Sequence, residues 1–205
     1  MKRASKKTSD IIARVQERIG HQFANPERLE RALTHSSLRN PSGGNYERLE
    51  FLGDRVLGLC VAELLFSHFR EASEGELSVR LNQLVSAQTC GEVADELGLH
   101  EFIRTGADVK KLTDNRMANV RADVVESLIA AIYLDAGLET ARNFIHTHWK
   151  TRAFSTDGAR RDAKTELQEW AHARFGVTPV YRVTDRSGPD HDPVFKVSVQ
   201  IDGTK

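Results

Sequence analysis

Long apolar runs are missing from this chain. No stretch approaches the roughly 18 consecutive apolar residues of a membrane-spanning helix, and the Lys/Arg-rich start lacks the apolar segment of a secretory signal. No membrane partner is therefore expected. Cysteine is nearly missing too, with only Cys60 and Cys90 present. Both sit in apolar, helical-looking surroundings without a ligand cluster, which argues against a disulfide scaffold and for core thiols in a reducing, cytoplasmic setting. Net charge is absent as well, with 29 Lys+Arg against 29 Asp+Glu. The balance is uneven along the chain. Residues 1–28 hold seven basic and three acidic residues, residues 29–149 twelve and eighteen, and residues 150–205 ten and eight. An acidic middle is a poor electrostatic match for nucleic acid unless cations sit in it, whereas basic flanks suit phosphate contact. A charge run is equally compatible with a plain solvated face.

What is present is ordinary for a globular protein: 40% hydrophobic and 28% charged residues in a chain of 205, enough for one large domain or two small ones. Residues 1–9 read as a frayed basic tail. "SDIIARVQERIGHQF" reads as a short helix capped by Ser9 or Asp10 and stopped at Gly20. "NPERLERALTHSSL" places Asn25 as cap and Pro26 at the first helical position. "RNPSGGN" is a loop, and a long helix is expected from about Tyr46 to Phe69. One or two helices follow, with Ser73 or Ser78 as caps. "NVRADVVESLIAAIYLDAGL" is the most apolar helix, and "LETARNFIHTHWK" closes the all-helical part. Beyond a linker the period changes. "AKTELQEWAHARFG" is a helix ending at Gly176, and "PVYRVTDRSG" and "PVFKVSVQIDGTK" alternate as two strands. The expected organisation is a domain over 10–150, a linker over 151–161 and a smaller unit over 162–205.

The acids carry the chemistry. At about 100° per helical residue, Glu47, Glu50 and Asp54 of "NYERLEFLGDRVLG" share one narrow face, while Leu49, Leu52 and Val56 point the other way. Asp123 and Glu126 are three apart in a helix almost without other polar residues. Carboxylates there are costly unless neutralised. Opposed across two helices, Glu50, Asp54, Asp123 and Glu126 would suit a hard divalent cation and metal-assisted phosphodiester hydrolysis. Ordinary ion pairing with Arg48, Arg55 or Arg121 accounts for the same residues. Spacing alone leaves both readings open.

"ERLEFLGDRVL" resembles the signature block of the ribonuclease III family. "ADVVESLIAAIYLDAG" resembles its second acidic block, and "EGELSVRLNQLVS" the segment between. "DAKTELQEW" and "GPDHDPVFKVSV" resemble the start of the family's double-stranded RNA-binding domain. The resemblance implies an all-helical nuclease domain followed by an α-β-β portion of an α+β RNA-binding domain. It implies a homodimeric, Mg²⁺-dependent endoribonuclease (Mn²⁺ able to substitute) that cleaves double-stranded RNA to 5′-phosphate and 3′-hydroxyl ends with short 3′ overhangs. Its substrates would be ribosomal RNA precursors, with some messenger and transfer RNA precursors.

Carried over position by position, Glu50, Asp123 and Glu126 match metal ligands and Asp54 completes the cluster. Asp54 and Glu126 match the residues named catalytic, Glu126 reaching metal partly through water. Glu47 and Glu76 match acids lining the RNA valley, and Phe51 matches an aromatic at the dimer interface. His35 of "THSS" matches a family block and is expected to be structural. Arg55 departs from the pattern, since most members carry a small residue there. In the RNA-binding portion, Thr165, Gln168 and Glu169 would face one minor groove, and the loop around Pro189 and His191 the next. The family's third strand, second helix and lysine-rich helix start lie beyond "DGTK". The small domain is therefore expected to be an incomplete piece with an open sheet edge, poor stability and reduced duplex affinity.

Overall fold

The computed structural model describes residues 2–38, 43–106, 114–155, 163–187 and 194–201. It divides into two units, residues 1–158 and 159–205, each taken here separately.

The first unit is helical. Helix α1 (Lys2–Ile19) begins upstream of the expected cap at Ser9 or Asp10. Nothing between residues 2 and 19 is Gly or Pro, so no local signal stops the helix there. It ends at Gly20, whose φ of 68° is left-handed, as foreseen. Helix α2 (Pro26–Ala32) starts as the sequence indicates, with the Asn25 side chain accepting from the Glu27 N–H at 3.1 Å. Helices α3 (Glu47–His68), α4 (Glu74–Leu84) and α5 (Ala87–Glu96) follow, then a short 3₁₀ turn over Leu99–Glu101. Of the two candidate caps for α4, Ser73 is the one used, in a reciprocal capping box with Glu76.

Helix α6 (Asp114–Ala153) combines the two expected helices. Gly137 interrupts it with non-helical angles, φ 83° and ψ 175°. Its first half is the centre of the unit. Val124, Val125, Leu128, Ile129, Ala130, Ala131 and Ile132 are all fully buried, with α3, α5 and α2 packed against the helix. Full burial of each such Val, Leu or Ile contributes on the order of 1.5–3 kcal/mol. The only buried hydroxyl of this stretch, on Ser127, donates to Ala32 O at 2.7 Å and lies 2.9 Å from Val124 O, tying α2 to α6. Trp149 is buried further along, its indole N–H donating to Leu84 O at 2.8 Å. Cys60 and Cys90 are free and buried, as the sequence implies.

A backbone bridge organises the entrance to α3. Arg104 N–H donates to Leu33 O at 2.8 Å, His35 N–H to Arg104 O at 2.9 Å, and Tyr46 N–H to Thr34 O at 3.0 Å. These bonds fix where α3 starts.

The second unit has helix α7 (Ala163–Phe175), then strands β1 (Val180–Ser187) and β2 (Val194–Gln200), paired antiparallel from Val180↔Gln200 to Ser187↔Val194. The register shifts between Val183 and Asp185. Val180, Val183, Val194, Phe195, Val197 and Val199 are all exposed. The fold class is therefore mainly helical with a short α-β-β portion. Among the described residues, no helix is long and apolar enough to cross a membrane.

Candidate active site

Glu50 and Asp54 sit on α3 and Asp123 and Glu126 on α6, 69 or more positions apart in sequence. What unites them is Gly53. A Cβ placed there would lie 1.7 Å from the carbonyl oxygen of Glu126 and 2.5 Å from its carbonyl carbon. Only a residue without a side chain lets α3 come this close to the α6 backbone. A mid-helix glycine costs roughly 0.5–1 kcal/mol relative to alanine, and here the cost is offset by the close crossing. The apolar back of α3 holds the arrangement from the other side, with Leu49 and Val56 buried and Leu52 packed against the core.

The electrostatics report how close the acids are. Burial pushes the Glu126 carboxyl up, the charges of Asp54, Asp123 and Glu50 push it further, and it reaches about 8 despite the opposing charge of Arg55. Glu50 is raised by burial and then by Asp123, Glu47 and Asp54. Burial also raises Asp123, against a hydrogen bond from Tyr46 and the charge of His35. The neighbouring Cys90 thiol is pushed up to about 12, by burial first and then by Glu126, Asp54 and Asp123. Glu50 and Glu126 are thus disfavoured as charges both by burial and by the acids around them, an arrangement that a cation relieves.

Ion pairing accounts for one of the four. Arg55 pairs with Asp54, its guanidinium also lying 4.6 Å above the Phe51 ring. Arg121 turns instead to Asp95, at 3.1 Å. Among the described residues, Glu50, Asp123 and Glu126 have no basic partner at ion-pair distance. Nor do three acids, histidines or cysteines among the described residues converge into a ready coordination shell. Asp54 faces Arg55, and one oxygen of Asp123 accepts from the Tyr46 hydroxyl at 2.9 Å. The donor set, all carboxylate oxygen, fits a hard divalent cation.

The match to known proteins bears on what this cluster serves. Residues 25–152 match the family described as Ribonuclease-III-like. The chain belongs to the ribonuclease III family. Residues 163–205 match the double-stranded RNA binding motif. The chain is similar to Ribonuclease 3 of Rhizobium johnstonii, 73% identical over 193 residues covering 94% of this chain and 81% of that relative. It is 70% identical over 203 residues to Ribonuclease 3 of Rhizobium meliloti, covering 99% and 85%. Among solved structures, the nuclease domain of ribonuclease III from Campylobacter jejuni superposes with a TM-score of 0.60 at 33% identity, covering 68% of this chain and 99% of that one.

The remaining positions of interest to a ribonuclease III lie around the cluster or apart from it. Glu47 is exposed, accepts from the Asn45 side-chain amide at 3.1 Å, and its charge reaches Glu50. Glu76 is taken up in the α4 cap, where its carboxylate accepts from Ser73 N–H at 2.9 Å. Phe51 is 65% exposed on α3. His35 is held locally, its Nδ1 accepting from Ser37 N–H at 2.9 Å. Gln168 is half-buried on α7. Thr165 and Glu169 lie on the same helix, but their side chains fall outside the described set, and Pro189 and His191 lie outside the described residues.

Gly53 and Tyr46 were not singled out by periodicity. A glycine in the middle of a strong helical pattern is a signal of close approach. Tyr46 carries no such signal, because its partner is 77 positions away.

Proposed function

We propose that Glu50, Asp54, Asp123 and Glu126 hold a divalent cation, Mg²⁺ with Mn²⁺ able to replace it, and that this endoribonuclease hydrolyses double-stranded RNA there. The observation that carries the reading is the Gly53–Glu126 crossing, with Asp54, Asp123 and Glu50 near enough for their charges to act on the Glu126 carboxyl. When bound, the cation supplies a Lewis acid that makes water nucleophilic near neutral pH and stabilises the departing 3′-oxygen. Burial and the neighbouring acids favour the protonated form of Glu126, and a cation held there would favour its carboxylate. Asp54 would hold the cation in place of its present partner Arg55. No side chain here serves as nucleophile: the Cys90 thiol is buried and pushed up to about 12, and His35 is bonded to Ser37. Direct attack by water gives 5′-phosphate and 3′-hydroxyl ends.

The exposed Phe51 is the proposed contact with a second copy of the chain, whose centre would cut the other strand and leave short 3′ overhangs. The Campylobacter jejuni ribonuclease III is described as having a region involved in dimer formation, which supports this. Glu47 and Glu76 are proposed as acids along the RNA valley. Residues 10–150 form the nuclease and dimerisation domain, 151–161 a linker and 162–205 an RNA-binding portion, with Thr165, Gln168, Glu169 and His191 as its contacts. Ribosomal RNA precursors are the proposed main substrate, with some messenger and transfer RNA precursors, in the cytoplasm.

The test is cleavage of long duplex RNA with Mg²⁺, beside Glu126→Gln and an EDTA control. Loss of cleavage in both supports the centre. Cleavage that survives Glu126→Gln removes the site assignment, and no cleavage by a folded wild-type protein makes it a binding scaffold instead.

A further inference from the structure

Among the described residues, Tyr46 is the one whose hydroxyl donates to a carboxylate of the cluster, and backbone hydrogen bonds hold it in place. Its N–H donates to Thr34 O at 3.0 Å, and its carbonyl accepts from Leu49 and Glu50 N–H at 2.8 and 2.9 Å. It occupies the position before α3 but makes no side-chain cap, so the phenol is not spent on the helix end. The ring is buried, 3% exposed, with the His35 imidazole edge-on at 5.4 Å between centroids. His35 is fixed in turn by Ser37. From this seat the hydroxyl donates to Asp123 Oδ2 at 2.9 Å.

We infer that Tyr46 is a positioning residue of the metal centre: its hydroxyl on Asp123 Oδ2 would hold that carboxylate in one rotamer for the cation. The inference rests on the metal-centre reading above and gives one of its ligands a fixed orientation. A half-buried carboxylate without this donor loses a charge-assisted hydrogen bond and rotates freely about its terminal torsion. Outer hydrogen bonds of this kind typically govern metal affinity by about 10- to 100-fold. Chemistry is not asked of the phenol, which is buried and whose ionisation is disfavoured by burial and by the neighbouring acids.

The experiment compares wild type, Tyr46→Phe, Asp123→Asn and the double variant, as full chains without RNA. Mn²⁺ affinity is read by electron paramagnetic resonance and thermal midpoints are read on the same samples. The half-saturating Mg²⁺ for cleavage is measured alongside. Tyr46→Phe is expected to weaken Mn²⁺ binding about tenfold, to raise the Mg²⁺ requirement by a similar factor, and to add nothing in the Asp123→Asn background. A general packing role would instead lower the melting temperature and act equally in both backgrounds, because independent effects add. Unchanged Mn²⁺ affinity in Tyr46→Phe, or an equal loss in the Asp123→Asn background, overturns the role of Tyr46 and leaves the metal centre standing. Unchanged affinity in Asp123→Asn overturns the metal centre and Tyr46 with it.

Discussion

Gly53 of α3 faces the backbone of Glu126 so closely that a Cβ on it would fall 1.7 Å from that residue's carbonyl oxygen. The two helices meet backbone to backbone at this point, and the carboxylates at the contact and within one turn of it are drawn together. Gly53→Ala would gain up to about 1 kcal/mol of helix propensity, but the clash with a carbonyl has no flexible side chain to absorb it. Overpacking of this kind typically costs about 1–3 kcal/mol and sometimes more. We expect Gly53→Ala to lower the urea midpoint and, in whatever fraction folds, to weaken Mg²⁺ binding. A midpoint at or above that of wild type would mean the crossing is not tight.

Glu126 makes stability depend on pH in a direction opposite to that of most carboxylates. Its folded-state pKa of about 8 stands above the ordinary 4.5, so between those values the metal-free native state binds more protons than the unfolded one. Stability of the metal-free protein should therefore fall as pH rises from about 4.5 towards 8. The neighbouring acids titrate with it, so the transition belongs to the cluster. Thermal midpoints in EDTA should decline across this window, while the increment gained from added Mg²⁺ should grow. A flat or rising EDTA profile would contradict the burial and crowding of Glu126.

In the proposed metal centre Arg55 would compete with the cation for Asp54. Its side chain is mostly exposed, so the pair is weak. Arg55→Ala is expected to tighten Mg²⁺ or Mn²⁺ binding about two- to fivefold in the absence of RNA, as read by calorimetry. Unchanged metal binding with weakened RNA binding would place the guanidinium on phosphate instead.

Phe51 is 65% exposed and offers a large apolar surface, with Arg55 stacked on it. Burying such a side chain contributes on the order of 1.5–3 kcal/mol. Phe51→Ala should therefore weaken self-association by about 10- to 100-fold in sedimentation experiments while leaving the melting of the individual chain nearly unchanged. A fall in melting temperature without loss of association would make it a packing residue.

Much of this was readable from local sequence, because it obeys local rules. Asn25 and Pro26 start α2, Ser73 and Glu76 start α4, and Gly20 and Gly176 stop α1 and α7 through backbone preferences that need no tertiary partner. The 3.6-residue period put Glu50 and Asp54 on one face of α3 and left Leu49 and Val56 for the core. The start of α1 was misplaced because Lys, Arg and Ala neither demand a helix nor forbid one there.

The cluster itself was not local. Period and spacing delivered two acid pairs on two helices, and ordinary ion pairing was the better account of them by spacing alone. Packing adds what spacing cannot: the missing side chain at Gly53 admits the backbone of Glu126, burial and the nearby charges of Asp54, Asp123 and Glu50 raise Glu126 to about 8, and Glu50, Asp123 and Glu126 have no basic partner at ion-pair distance among the described residues. The link from Tyr46 to Asp123 spans 77 positions and exists only because α3 and α6 cross. Helices are set by neighbours in sequence, whereas a charge cluster is set by which backbones can touch.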